Sequence, residues 1–460
     1  MIAELLNRDF VLEQLADVRS RLLAVVRTED DAALVQELAS AEQREHAYSS
    51  GQLFPLQPGR RRGQGPVPLD DFAFISRDPI VSTFQSALEA YFDEHPEHVV
   101  EGAPSDDHRR SVGDEILVTD RSLRLPPIRK PPPGRRVFNR FSITDVQWIR
   151  SKIAEGVRLL RKRHDFNMTP AAPVSVSDRV RLILVGDWAT GLPRARKVAK
   201  VIKGELKKGN DAGLEQHVVH LGDIYYSGWE HEVRSRFLRH WPVDEVEADR
   251  IGSWALNGNH DMFSGGHGYF RTLLGDRRFA RQSRSSFFSF VNQHWKILGI
   301  DTAWDDHGLK DPQVDWLAGE INEGGRKTLL LSHHQMFSSY ETIPSDPPGL
   351  PAKIGPILTS EPVTAWFWGH EHRCLCLKET DSVQFPRCVG HGGVPVYMNH
   401  AESDAHPPAV AYEYRKFVSK SFGLEKWALQ GFVVLDFDGD RITARYIDEN
   451  ANEHRTEPIG

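Results

Sequence analysis

The sequence predicts an α/β layered domain over residues 173–460, preceded by a mainly helical region over residues 1–172. Three observations carry this prediction. From about residue 173, apolar runs of strand length alternate with helical patterns: RLILVGD, PRARKVAKVIKGELKK, HVVHLGD, SWALNGNHD, KILGIDTAW, KTLLLSHH and AWFWGHEH. Such alternation reads as helices packed on sheets. Polar residues close the apolar runs, at the edge where ligands gather in open α/β sheets. In the first 172 residues, by contrast, apolar residues recur at three- and four-residue steps, the mark of helices with one buried face. A chain of 460 residues also exceeds the roughly 250–300 at which a single core stops growing, so two units are expected.

In the helical region, Val11, Leu15, Val18, Leu22 and Val25 form one stripe. Asp78 followed by Pro79 predicts an N-cap and a first helical turn, with Ile80, Phe84 and Leu88 on the buried side. Ser142 predicts a further cap, followed by Val146, Ile149, Ile153, Val157 and Leu160. Two segments rich in proline, glycine and arginine, 57–68 and 124–136, read as extended linkers, with a partner-binding arm as the alternative.

Composition excludes several classes. A net charge of −7 argues against a protein built to coat nucleic acid. There is no run of 18 or more apolar residues, so no membrane span is expected. The first residues, MIAELLNRDFVLEQL, lack the pattern of a secretory signal. Three cysteines, Cys374, Cys376 and Cys388, then read as free thiols, and a cytoplasmic location is expected.

The run ends carry a set of metal-binding side chains. Asp187 comes from GDW, Asp223 and Tyr226 from GDIYYSG, and Asn259 and His260 from GNHD. His333 and His334 come from SHHQMF, and His370 and His372 from GHEH. Carboxylate, phenol, amide and imidazole donors suit iron, zinc or manganese. A carboxylate such as Asp223 can bridge two cations, and two cations roughly 3.5–4 Å apart can clamp a phosphate and generate hydroxide near neutral pH. Each motif is weak alone; the ordered set, each member after a strand-like run, is much stronger.

The ordered series GD, GDxxY, GNHD, a His-bearing strand end and GHxH resembles the calcineurin-like metallophosphoesterases, and more narrowly their purple acid phosphatase branch, over about residues 178–400. The resemblance implies a four-layer α/β/β/α sandwich with a dinuclear metal centre at the strand ends. Many family members carry Asp-x-His at the first motif; here the third position is Ala189, which cannot ligate. The purple acid branch supplies a tyrosinate instead. The resemblance therefore assigns one metal to Asp187, Asp223, Tyr226 and His372, and the other to Asp223, Asn259, His333 and His370. A slip of one residue, to Tyr225, would exchange ligand and pocket wall. A tyrosinate suits Fe(III), so the implied pair is Fe(III) with Fe(II), Zn(II) or Mn(II). His260 is the implied proton donor to the leaving group. His334 and His267 are candidate substrate contacts, as is His391, and the proline-rich segment 341–362 is a candidate substrate-framing loop. Cys374 and Cys376 read as buried strand residues.

The expected function is hydrolysis of phosphate monoesters by hydroxide held on two metals. The alternatives are a phosphodiesterase acting on cyclic nucleotides, nucleic acid or lipid head groups, and a metal-stabilised interaction module. The expected partners are a phosphorylated substrate and a protein partner for the helical region; nucleic acid is not expected.

Overall fold

The computed structural model describes residues 8–23, 29–49, 75–94, 99–101, 136–138, 162–322, 325–341, 343, 348–396, 407–417 and 428–460. Three helices, α1 (Arg8–Leu23), α2 (Glu29–Ser49) and α3 (Pro79–Glu94), pack on one another. Val11, Leu15 and Val18 of α1 and Ile80, Phe84 and Leu88 of α3 are buried, as their spacing predicts. Asp78 caps α3: its Oδ1 accepts the N–H groups of Ile80 (2.9 Å) and Val81 (3.0 Å). The helix α2 was not predicted. Its buried stripe runs from Leu34, Val35 and Leu38 into Ala41 and Glu45, so the apolar periodicity fades halfway. Glu45 is buried because it accepts the Ser76 hydroxyl at 2.5 Å. Val25, the stripe behind Ser142, segment 57–68 and all but the last residue of segment 124–136 lie outside the described residues.

β1 (Val99–Glu101) and β2 (Arg136–Phe138) pair as an antiparallel ribbon. From β3 (Val174–Ser175) onward the chain builds two sheets. β4 (Val180–Val185), β5 (Glu215–His220) and β6 (Ile251–Ala255) run parallel. β7 (Phe288–Val291) and β8 (Trp295–Gly299) form a hairpin, and β9 (Lys327–Ser332) and β10 (Val363–Trp368) continue parallel to β8. β11 (Cys374–Leu377), β12 (Val383–Val389) and β13 (Val410–Glu413) extend that sheet, with β12 parallel to β10. A final meander, β14 (Gly431–Asp438), β15 (Arg441–Asp448) and β16 (Glu453–Ile459), joins the first sheet through β14 and β4. The strand orders are β16-β15-β14-β4-β5-β6 and β13-β11-β12-β10-β9-β8-β7-β3.

Strand alternation sorts the side chains into layers. Leu182 and Leu184 of β4 join Trp254, Leu329, Leu331, Phe367 and Val433 in the core between the sheets. Ile183 and Val185 point the other way, onto Val198, Ile202 and Leu206 of the helix Pro193–Asp211. Leu330, Trp366 and Trp368 pack on Leu317, Ile354 and Leu358 of the helices Gln313–Asn322 and Leu350–Ser360. The result is the α/β/β/α arrangement. Strands buried on both faces explain why the sequence shows continuous apolar runs rather than alternation. No helix among the described residues is long and apolar enough to cross a membrane.

Candidate metal centre

β4, β5 and β6 are mutually parallel, as are β9, β10 and β12 in the other sheet, so within each sheet the carboxyl ends lie along one edge. Each chain segment leaves that edge through a sharp reversal. Asp187, Asp223, His370 and His372 all take positive φ, at 55°, 77°, 65° and 52°. Four non-glycine residues held in the left-handed region are costly, and such strain clusters at functional sites. Glycines make room for them. A Cβ on Gly258 would lie 2.2 Å from Asp223 Oδ1, and one on Gly222 (φ 103°) would lie 2.6 Å from His333 Nδ1.

Two groups of donors face each other across Asp223. In the first, the Tyr225 hydroxyl lies 2.9 Å from Asp187 Oδ1, 3.0 Å from Asp223 Oδ2 and 3.1 Å from His372 Nε2. His372 Nε2 is 3.3 Å from Asp187 Oδ1. In the second, Asn259 Oδ1 lies 2.9 Å from His333 Nε2 and 3.1 Å from His370 Nδ1, and His333 Nε2 is 3.3 Å from Asp223 Oδ1. Backbone amides fix the carboxylates: His370 N–H donates to Asp187 Oδ2 (2.7 Å) and His260 N–H to Asp223 Oδ1 (2.9 Å). All these side chains are buried.

The donor set fits a pair of cations. His333 Nδ1–H donates to the Leu221 carbonyl at 2.9 Å, which leaves the Nε2 lone pair facing the oxygens of Asn259 and Asp223. Lone pairs that converge in a buried site need a positive charge between them. In the first group, burial and the carboxylates of Asp187 and Asp223 push the Tyr225 phenol well above its ordinary value. A cation there acts in the opposite direction, as metals do on the acids they bind.

The structure therefore corrects the tyrosine assignment. It is Tyr225, and not Tyr226, that reaches Asp187, Asp223 and His372. Tyr226 turns its ring under the Arg236 guanidinium, 4.5 Å away. Its N–H donates to Glu232 Oε1 at 2.5 Å, and its carbonyl faces His260 Nδ1, also at 2.5 Å. That carbonyl is the orienting partner of His260, whose ring also lies against Tyr225 and Phe263. Burial lowers the His260 pKa, with Asp223 opposing.

The substrate candidates separate. His334 lies beside the centre, its ring 4.6 Å from that of His370 and 3.9 Å from that of His307. Thr302 holds its Nδ1, while its buried Nε2 has no hydrogen-bond partner. His267 is not brought into the cluster: its Nε2 meets the Lys162 carbonyl at 3.1 Å and its ring lies edge-on to His164. His391 sits instead, buried, beside Cys374 and the half-buried His454. Cys374 and Cys376 are buried residues of β11.

Sequence reasoning missed three residues at the rim. His307 carries a positive φ of 56°, and its ring lies against that of His334, tilted by 39°. Glu341 Oε2 lies 3.7 Å from His370 Nε2. Arg77, ahead of α3, pairs with Glu341 at 3.0 Å. Only Glu341 had a signal, since it opens the proline-rich segment after His333.

The calcineurin-like phosphoesterase family profile matches residues 180–374. The human tartrate-resistant acid phosphatase type 5 is 22% identical over 318 residues, covering 61% of this chain and 91% of that protein. Among solved structures, GAP50 of Plasmodium superposes with a TM-score of 0.42 at 15% identity, over 61% of this chain and 89% of that one. A dimetal phosphatase from Danio rerio gives 0.38 at 14% identity, over 63% and 99%. Residues 180–374 form a calcineurin-like phosphoesterase domain.

Proposed function

We propose that the protein hydrolyses phosphate monoesters at a dinuclear metal centre of the purple acid phosphatase type. One observation supports this above the rest: seven side chains from five strand ends converge as two donor groups that share Asp223. Asp187, Asp223, Tyr225 and His372 would hold one cation, and Asp223, Asn259, His333 and His370 the other. The phenolate donor suits Fe(III), with Fe(II), Zn(II) or Mn(II) beside it. When bound, the pair supplies charge neutralisation for a phosphoryl group and acidifies a water molecule.

The remaining work falls to the protein. The backbone amides of His370 and His260 hold the two carboxylates before substrate arrives, so little reorganisation is needed. His260, oriented by the Tyr226 carbonyl, donates a proton to the leaving alkoxide. His334 offers its unpartnered Nε2 to a phosphate oxygen. The test is turnover of p-nitrophenyl phosphate and of bis(p-nitrophenyl) phosphate in parallel, before and after chelation and metal return. Metal-dependent turnover that favours the monoester is expected. Preference for the diester would move the protein to the phosphodiesterase reading, and no turnover of either would overturn the hydrolase.

A further inference from the structure

The site's rim is completed from outside the phosphoesterase domain. Arg77 is only 11% exposed at its side chain, and Glu341 7%. The guanidinium spans two acceptors, one on Glu341 and one on His370. Nη1 donates to Glu341 Oε1 at 3.0 Å, and Nη2 lies 3.4 Å from the backbone carbonyl of His370. The other Glu341 oxygen, 3.7 Å from His370 Nε2, faces the ring nitrogen opposite the one beside Asn259. Gln335 approaches the same oxygen at 3.5 Å. His370 is one of the residues held at positive φ, a conformation that persists only when its surroundings enforce it. A carboxylate behind a ligating histidine fixes the ring's orientation and tautomer, and a cation behind that carboxylate keeps it in place.

A second contact runs along α3. Ser82 donates to the Tyr226 carbonyl at 2.6 Å and lies 3.5 Å from His260 Nδ1. Further along, Ser86 donates to Glu232 Oε1 at 2.8 Å, and Glu89 pairs with the buried Arg236. The helix thus docks beside the turn that carries Tyr225 and Tyr226, and its first residues lie nearest the donors.

We propose that the segment opening α3 is a working part of the phosphoesterase centre, with Arg77 as a positioning residue that sets His370 through Glu341. The proposal rests on His370 being a metal ligand, as the proposed function holds. Removing the guanidinium leaves Glu341 with only the longer Gln335 contact behind His370 and frees the backbone carbonyl of a strained ligand. The second cation is then held more weakly while the first is unaffected.

The test is titration of the metal-stripped full-length protein with Zn(II), read by calorimetry well below the unfolding midpoint, alongside kcat and KM. Arg77→Met is expected to weaken one of two Zn(II) sites by about 10–100-fold, the usual effect of losing a partner behind a metal ligand. Its kcat falls in step at limiting metal, while KM changes little. Arg77→Lys restores part of the loss, since a point charge cannot bridge both acceptors. Glu341→Gln weakens the same site, and in that background Arg77→Met adds little, because the two act as one unit. Unchanged Zn(II) affinity in both Arg77→Met and Glu341→Gln would overturn the proposal, even with a lowered unfolding midpoint. If Arg77→Met does not fold, Glu341→Gln alone decides. A wild-type protein that binds two Zn(II) and hydrolyses nothing would sink the hydrolase reading only; one that binds none would sink both.

Discussion

At the scale of single residues, the centre depends on which way neighbouring side chains turn. Tyr225 and Tyr226 are adjacent and chemically identical, and only the GDxxY spacing of the resemblance favours Tyr226. What separates them is tertiary: Arg236 and Glu232 hold Tyr226 on the far side of the turn, so Tyr225 takes the inward place. His260 has a comparable dependence. Its ring is buried, and burial lowers its pKa below the ordinary value near 6.5. A ring that works as a proton donor is active in its protonated form, which declines as pH rises through that lowered value. The expected result is a kcat that falls with rising pH, with its midpoint below the ordinary histidine value. His260→Gln should lower kcat by about 10²–10⁴-fold and abolish that fall, with metal content unchanged. A full kcat in His260→Gln would remove the histidine from the reaction. Asn259→Ala and His370→Ala should each lose the second cation and most turnover, by metal analysis and kinetics; unaltered rates in both would count against the site.

At the scale of elements, the strand ends were readable and the helix against them was not. An apolar run that stops at Gly-Asp or Gly-Asn-His announces both a strand and its functional end, because one physical fact, burial up to the rim, produces both. The role of α3 left no such trace. Its stripe of Ile80, Phe84 and Leu88 predicts a buried face, but Ser82, Ser86 and Glu89 read as an ordinary polar face. They are buried because they meet polar partners in the distant phosphoesterase domain. The Glu89–Arg236 pair carries a stability prediction. Both side chains are nearly inaccessible, at 3% and 1%. Glu89→Ala leaves the buried guanidinium with Glu232 at 3.9 Å as its remaining carboxylate, and breaking a buried pair typically costs about 3–5 kcal/mol. Equilibrium urea unfolding should show a loss of that size, and a change under about 1 kcal/mol, the surface-pair range, would mean the contact is solvated.

At the scale of the whole molecule, two sheets bring together residues that lie nearly two hundred positions apart in sequence. That convergence was expected from the parallel runs. The exclusion of His267 and the separate burial of His391 were not, because glycine-flanked histidines look alike in sequence whichever side of a strand end they occupy. Burial of so many imidazoles has a consequence for the fold. His220 and His391 are pushed down to about 3 and His454 to about 4, chiefly by burial. Unfolded, each would titrate near 6.5. Below that pH the unfolded chain binds protons that the folded one refuses, so stability is lost as pH falls from about 6.5 towards 4. Each such histidine costs up to about 1.4 kcal/mol per pH unit over that range. Urea midpoints measured from pH 7 to pH 5 should fall, and His220→Gln should make the fall shallower; a flat profile would contradict the buried, neutral rings.

On the proposed reading, Tyr225 and its six companions hold a metal pair. Its most direct test is metal content and visible absorption of the purified protein, wild type against Tyr225→Phe and Tyr226→Phe. Two tightly bound metals including iron are expected, with a visible tyrosinate band that vanishes in Tyr225→Phe and survives in Tyr226→Phe. Loss of the band in Tyr226→Phe alone, or a wild-type protein that retains no metal, would contradict it.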